Sequence, residues 1–221
     1  MAETYGVKPK LFTKEWWPYF WMYYKWITIG IATAVVVIAV TVAQCATREK
    51  YDLTVTYAGL GMFSQDSLAE LEKVIEEKAE DADGNGEINV FVQQFNFENT
   101  SGGFEIDYGL QTKHDIELTD EITNLYLYDK YELDMMLGRD QASLIYMDVN
   151  KWLESEIDTD RLVYSGDGVP CAVNLSGSAM LEGVEMDTSD IYVVVKDNSK
   201  DTDLAQRSLR GAIAAANEMV K

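Results

Sequence analysis

In "DADGNGEINVFV", residues 81–92, oxygen-bearing side chains recur at every second position ahead of a glycine. Asp81, Asp83, Asn85, Gly86 and Ile88 fall at positions 1, 3, 5, 6 and 8 of a calcium-binding loop, where alternating oxygens suit a hard cation and the glycine permits a sharp bend. Asp81, Asp83, Asn85 and Glu87 are therefore the candidate metal ligands. Position 12 is Val92, where such a loop expects a bidentate glutamate, so two oxygens and one charge are missing and only weak calcium binding is expected. The same residues also make an ordinary turn between a helix and a strand, because Gly and Asn tolerate positive φ.

No other group of residues announces a reaction. His114 is the single histidine, which removes multi-histidine metal sites; in "QTKHDIE" it reads as a surface residue. Cys45 ends the apolar run, so a disulfide would require Cys171 to reach the membrane edge, and both are expected to be free thiols. The serines of "SGDGVP" and "LSGSAM" lie near glycines without the G-x-S-x-G elbow or a base partner, and read as turns. The loop "NFENTSGGFEIDYG" carries Phe97, Phe104 and Tyr108 among polar residues, and reads as a solvated loop with a few anchoring rings or as a contact surface for carbohydrate or protein. "NTS" and "NLS" fit the N-glycosylation sequon. Neither catalysis nor a resident cofactor other than weakly held calcium is expected.

The elements around these residues are legible from periodicity. "YDLTVTYAGL" alternates at Leu53, Val55 and Tyr57, as a strand does. "SLAELEKVIEEKAED" carries a helical stripe of Leu68, Leu71, Val74, Ile75 and Ala79 behind a Ser67/Glu70 capping box. "GEINVFVQQF" reads as a second strand, so residues 51–96 suggest a parallel βαβ unit. A helix is predicted over "TDEITNLYLYDKYELDMMLG", with a strand as the alternative for its tyrosine-rich middle. Beyond it, "ASLIYMD" reads as a short strand and "VNKWLES" as a short helix. "VPCAVNLSGSAML" reads as extended chain and a turn, "DIYVVVK" as a buried strand, and "DTDLAQRSLRGAIAAANEMV" as a closing amphipathic helix. Alternating strands and helices point to an α/β domain with a mainly parallel sheet.

Ahead of that domain, Trp26 to Thr47 form 22 residues without a formal charge, about 33 Å as a helix. That length spans a hydrocarbon core of roughly 30 Å. Eight aromatic rings crowd residues 16–26 just before it. Four lysines precede the apolar run, against Arg48 and Lys50 after it, so the N-terminus is expected in the cytoplasm and the domain outside. A cleaved signal peptide and lipidation at Cys45 are the alternatives to an uncleaved anchor.

Residues 1–45 hold four lysines and two glutamates, which leaves −22 of the overall −20 on residues 46–221. Such a surface repels nucleic acid and anionic lipid heads, so nucleic acid is excluded as a partner. The membrane and another membrane protein are the expected partners, with a small-molecule ligand left open.

The segment "YELDMMLGRDQASLIYMD" resembles the part of type II periplasmic (extracellular) solute-binding proteins that precedes their third strand. "DIYVVVKDNSKDTDLAQRSLRGAIAAA" is similar to their closing strand and helix, and "YDLTVTYAG" with its helix is compatible with their opening. The resemblance implies an α/β lobe over most of residues 51–221. That family binds ligand between two lobes and usually runs well over 250 residues, whereas about 175 lie outside the apolar run here. The expected fold is therefore one N-terminal transmembrane helix and a single-lobed, mainly parallel α/β sandwich resembling one lobe of such a protein. The expected organisation is 1–25 cytoplasmic and interfacial, 26–47 transmembrane, and 48–221 extracytoplasmic. An interaction or transporter-accessory module is the expected role, with a membrane-tethered solute receptor as the alternative.

Overall fold

The computed structural model describes residues 10–46, 50–97, 108–138, 145–197 and 202–221. The chain divides into two units, residues 1–49 and 50–221.

Among its described residues the first unit has one helix, α1, Trp16–Ala46. Within Trp16–Gln44 the most apolar 18 residues have a mean hydropathy of 2.4 and no residue is buried, which makes the helix long and apolar enough to cross a membrane. The helix begins ten residues before the uncharged run, so the aromatic segment is part of the same rod. At 3.6 residues per turn the eight rings spread over roughly 220° of the circumference and leave an arc of Pro18, Met22 and Lys25. Trp16 stacks on Phe20 at 4.8 Å and Phe20 on Tyr24 at 5.7 Å, one turn apart each time. The aromatics thus form a girdle rather than a one-sided stripe, which suits the headgroup level of a bilayer.

The second unit is built on one six-stranded sheet of order β2-β1-β3-β6-β5-β4. β1 (Leu53–Gly59), β2 (Val90–Asn96) and β3 (Thr123–Asp129) are parallel neighbours. β6 (Ile191–Val195) runs antiparallel to β3, β5 (Pro170–Asn174) to β6, and β4 (Leu162–Tyr164) to β5. The sheet is therefore mixed rather than mainly parallel. The hairpin turn between β4 and β5 is too short for the crossover that a parallel pair requires, and the sequence pattern of a buried strand does not encode direction.

Helix α2 (Gln65–Glu76) starts three residues earlier than the Ser67/Glu70 box predicts. Ser64 is the cap, its Oγ accepting the Ser67 N–H at 3.0 Å, while Ser67 is buried and donates its hydroxyl to the Glu185 carbonyl. The inner face of α2 carries Leu68, Leu71 and Ile75 as predicted, and burying the last two stabilises the fold by about 2 kcal/mol each. The helix predicted over residues 119–138 is corrected: its tyrosine-rich middle is the central strand β3, and only Lys130–Leu137 is helical, as α4. Asp129 makes that switch, its carboxylate accepting the Glu132 N–H at 2.8 Å as the cap of α4. A strand with helices on both faces is apolar throughout, so periodicity alone does not distinguish it from a buried helix.

Alternate residues of β1 and β3 feed two cores. Val55, Tyr57, Leu125 and Leu127 face α2, the one-turn α5 (Val149–Trp152) and the C-terminal α6 (Asp203–Val220). Ala58, Tyr126 and Tyr128 face α4 and α3 (Tyr108–Glu117). Of "ASLIYMD", residues 142–144 lie outside the described residues, and Tyr146 makes an isolated bridge to Lys196. The Cys45 side chain, the Asn99 sequon, Phe104 and the Tyr108 side chain also lie outside the described residues.

Candidate functional site

The calcium-like loop joins α2 to β2, and the parallel pairing of β1 and β2 brings a distant residue to it. Because Leu53 is in register with Val90, the residue before β1, Asp52, lies beside the end of the loop. Its Oδ1 accepts the Ala82 N–H at 2.7 Å and the Asp83 N–H at 3.0 Å, and its Oδ2 accepts the Asn89 N–H at 2.9 Å. One buried carboxylate thus fastens both ends of the turn to the start of β1.

Within the loop, the Asp81 carboxylate is the hub. Its Oδ1 accepts from Gly84 N at 2.6 Å and Asn85 N at 3.2 Å, and its Oδ2 from Gly86 N at 2.8 Å. Asp83 Oδ1 accepts from Asn85 N at 3.0 Å, and Asn85 Oδ1 from Glu87 N at 2.7 Å. Gly84 and Gly86 have φ of +77° and +89°, a region that side-chain-bearing residues enter at a cost. The amide of Gly86, with those of Gly84 and Asn85 and the charge of Arg207, holds the Asp81 carboxyl below the usual carboxylate range.

Oxygens of Asp52, Asp81 and Asp83 lie within 4.8 Å of one another. A divalent cation that binds oxygens at roughly 2.4 Å fits that separation, and three carboxylates supply hard donors. Of the four predicted ligands, Asp81 and Asp83 come together; Glu87 is not in the carboxylate group, and the Asn85 side chain is used by the backbone. Val92 is buried in β2, so position 12 contributes nothing. Asp52 supplies the third carboxylate from 29 residues upstream of Asp81. The βαβ pattern was the signal for it, because the residue before a first parallel strand neighbours the residue before the second.

The expectation of a surface histidine is corrected. His114 is fully buried on α3, its Nε2 3.1 Å from the Tyr128 hydroxyl, which lies 3.2 Å from that of Tyr146. Phe95, Tyr126 and Tyr128 meet its ring edge-on. The polar neighbours in "QTKHDIE" concealed this, since the aromatic sheet face that receives α3 is assembled from β2 and β3. At the end of α3, Glu117 Oε2 accepts from the Gln93 side-chain amide, which also donates to Thr56 Oγ1 at 3.0 Å. Burial pushes the Glu117 carboxyl up, against the opposing charge of Lys113.

Among the described residues, neither Cys171 nor Ser165 is arranged as a nucleophile. Cys171 is a buried free thiol, pushed up to about 11 by burial, and a nucleophilic cysteine needs the opposite shift. Ser165 Oγ accepts the Val169 N–H of its own turn.

At the carboxyl ends of β1 and β3, Gly59 approaches Asp129 so closely that a Cβ would lie 2.5 Å from the carboxylate carbon. Asp129 Oδ2 accepts the Leu60 N–H at 2.6 Å. No family model, curated protein or solved structure matches this chain.

Proposed function

We propose that the chain is a single-pass membrane protein whose acidic α/β domain lies outside the cytoplasm and serves as an interaction or transporter-accessory module. The observation that carries this reading is α1, an apolar rod of about 46 Å at 1.5 Å per residue. It exceeds the hydrocarbon thickness by enough to seat the aromatic girdle in one interface. The four N-terminal lysines support a cytoplasmic N-terminus. The −22 on the remainder supports a domain that stands off anionic lipid and recruits a protein carrying positive charge. No catalytic role is assigned.

A second reading, a membrane-tethered solute receptor, draws on the resemblance to one lobe of a type II solute-binding protein. It is favoured by Gly59, Gly61 and Asp129 at the carboxyl ends of β1 and β3, where the strand order reverses. Open α/β sheets take their ligands at such points. Calcium is the ion proposed for the loop of Asp81, Asp83, Asn85 and Glu87, with Asp52 as an added donor.

Two measurements separate the readings. A photo-crosslinking residue at Trp21 of the full chain in membranes should recover a defined membrane partner. A thermal-shift screen of sugars, amino acids and peptides should give no stabilisation, whereas a receptor gains stability by mass action. Recovery of no partner together with stabilisation by a small solute would replace the first reading with the second.

A further inference from the structure

The two edges of the sheet are treated in opposite ways. On β2, the N–H groups of Val90 and Val92 donate to the carboxylates of Glu76 at 3.4 Å and Glu72 at 3.0 Å, both from α2. Further along, the Gln94 side chain clasps the backbone of Phe63, accepting its N–H at 3.0 Å and donating to its carbonyl at 3.2 Å. That edge is closed from within, one of the ways native sheets prevent strand addition.

Among the described residues, β4, at the other end, has no comparable cover. Among the described residues, its backbone is bonded only by β5 and by the turn that precedes it, through Leu162 N–H to the Thr159 carbonyl. Its own residues, Leu, Val and Tyr, include neither a charge nor a proline to discourage pairing. Tyr164 is 49% exposed.

The charge around this edge indicates the occupant. Residues 154–168 carry Glu154, Glu156, Asp158, Asp160 and Asp167 against Arg161 alone. Arg161 is turned inward, its guanidinium donating to the Asn174 carbonyl at 3.0 and 2.8 Å and to the Val220 carbonyl at 3.0 Å. A second copy would meet this acidic fringe with the same fringe, and like charges across an interface are costly.

We propose that the β4 edge is a docking site for an extended, basic segment of a partner protein, added to the sheet as a seventh strand. The main chain of the segment bonds the Leu162–Tyr164 backbone, and its lysines or arginines meet Asp158, Asp160 and Asp167. This deepens the interaction-module reading and rests on it.

The test uses the full chain in neutral detergent micelles and two labelled synthetic peptides, Lys-Val-Thr-Val-Thr-Val-Lys and Glu-Val-Thr-Val-Thr-Val-Glu. The proposal expects fluorescence anisotropy to show saturable binding of the basic peptide and not of the acidic one. Amide hydrogen exchange should slow at residues 162–164, and Asp158→Lys with Asp160→Lys should weaken binding about tenfold at low salt. Equal binding of the two peptides, or protection confined to β2, would overturn it, as would sedimentation showing a dimer in which the amides of residues 162–164 are already protected without peptide. The peptide comparison requires no variant, so a poorly folding mutant does not decide the result. A photo-crosslinker at Tyr164 separates the two levels. A partner captured at Trp21 but never at Tyr164 removes this site and leaves the module reading, while capture at neither position removes both.

Discussion

Replacing Gly59 by alanine should be the most damaging single methyl addition among the described glycines. The new Cβ would sit 2.5 Å from Asp129 Cγ and Oδ2 and 2.7 Å from the Tyr57 hydroxyl, distances at which something must move. The Asp129 side chain is short and fastened twice, by the Leu60 N–H at 2.6 Å and the Glu132 N–H at 2.8 Å. Tyr57 is pinned by its edge-on packing against Phe63 at 4.6 Å. Displacing the carboxylate removes the α4 cap, about 1 kcal/mol, and a charge-assisted bond to Leu60, about 1.5 kcal/mol. The expected loss is roughly 2–3 kcal/mol, or a fall in Tm of about 5–10 °C for a unit of this size. Thermal denaturation of the full chain in detergent, followed by near-ultraviolet circular dichroism, measures it. A double-mutant cycle with Asp129→Ala tests the cause. With the carboxylate gone, Gly59→Ala meets mainly the Tyr57 hydroxyl, and the two losses should fall short of additivity by at least about 1 kcal/mol. A Gly59→Ala variant within about 0.5 kcal/mol of the parent, or strict additivity, would refute the reasoning.

Three further outcomes are expected. Calorimetric titration of the full chain with calcium should show binding near millimolar concentration, and about tenfold excess should raise Tm by about 3–5 °C; Asp81→Asn should abolish both, and absence of heat at millimolar calcium would eliminate the site. Replacing Trp16, Trp17 and Trp21 by leucine should leave membrane insertion intact, because the apolar run after Trp26 suffices; if crosslinked partner is lost while insertion holds, the girdle is also an interface. For Glu117 the folded-state carboxyl is raised by burial, so its contribution to stability is full below its unfolded value and is lost as pH rises through the folded value. Glu117→Gln should therefore raise Tm at neutral pH, with the gain shrinking as acid protonates the parent, and a gain that widens in acid would contradict this account.

Several elements followed directly from local pattern. The apolar helix, the inner stripe of α2, the strand "DIYVVVK" and the small-residue face of α6 each carry their own periodicity. The Asp81 loop was also visible, because the spacing of its oxygens and glycines is a property of the contiguous residues 81–87. What stayed hidden depended on partners remote in the chain. Asp52 joins Asp81 and Asp83 only because β1 and β2 pair in one register, and His114 is buried only because β2 and β3 present aromatic rings to α3. The middle of β3 resembled a helix because a strand covered on both faces has no polar side to show alternation.

The sequence alone determined that this chain has an apolar segment long enough for a bilayer, an acidic remainder and an alternation of strands and helices. Those follow from the transfer preference, charge and backbone periodicity of each residue, which are local quantities. Tertiary structure alone decided the direction of β4, β5 and β6, the closure of the β2 edge by Glu72 and Glu76, and an edge of β4 that no described residue closes in the same way. Direction and edge protection arise from hydrogen bonds between segments, and a residue's own side chain does not state which distant backbone it will meet.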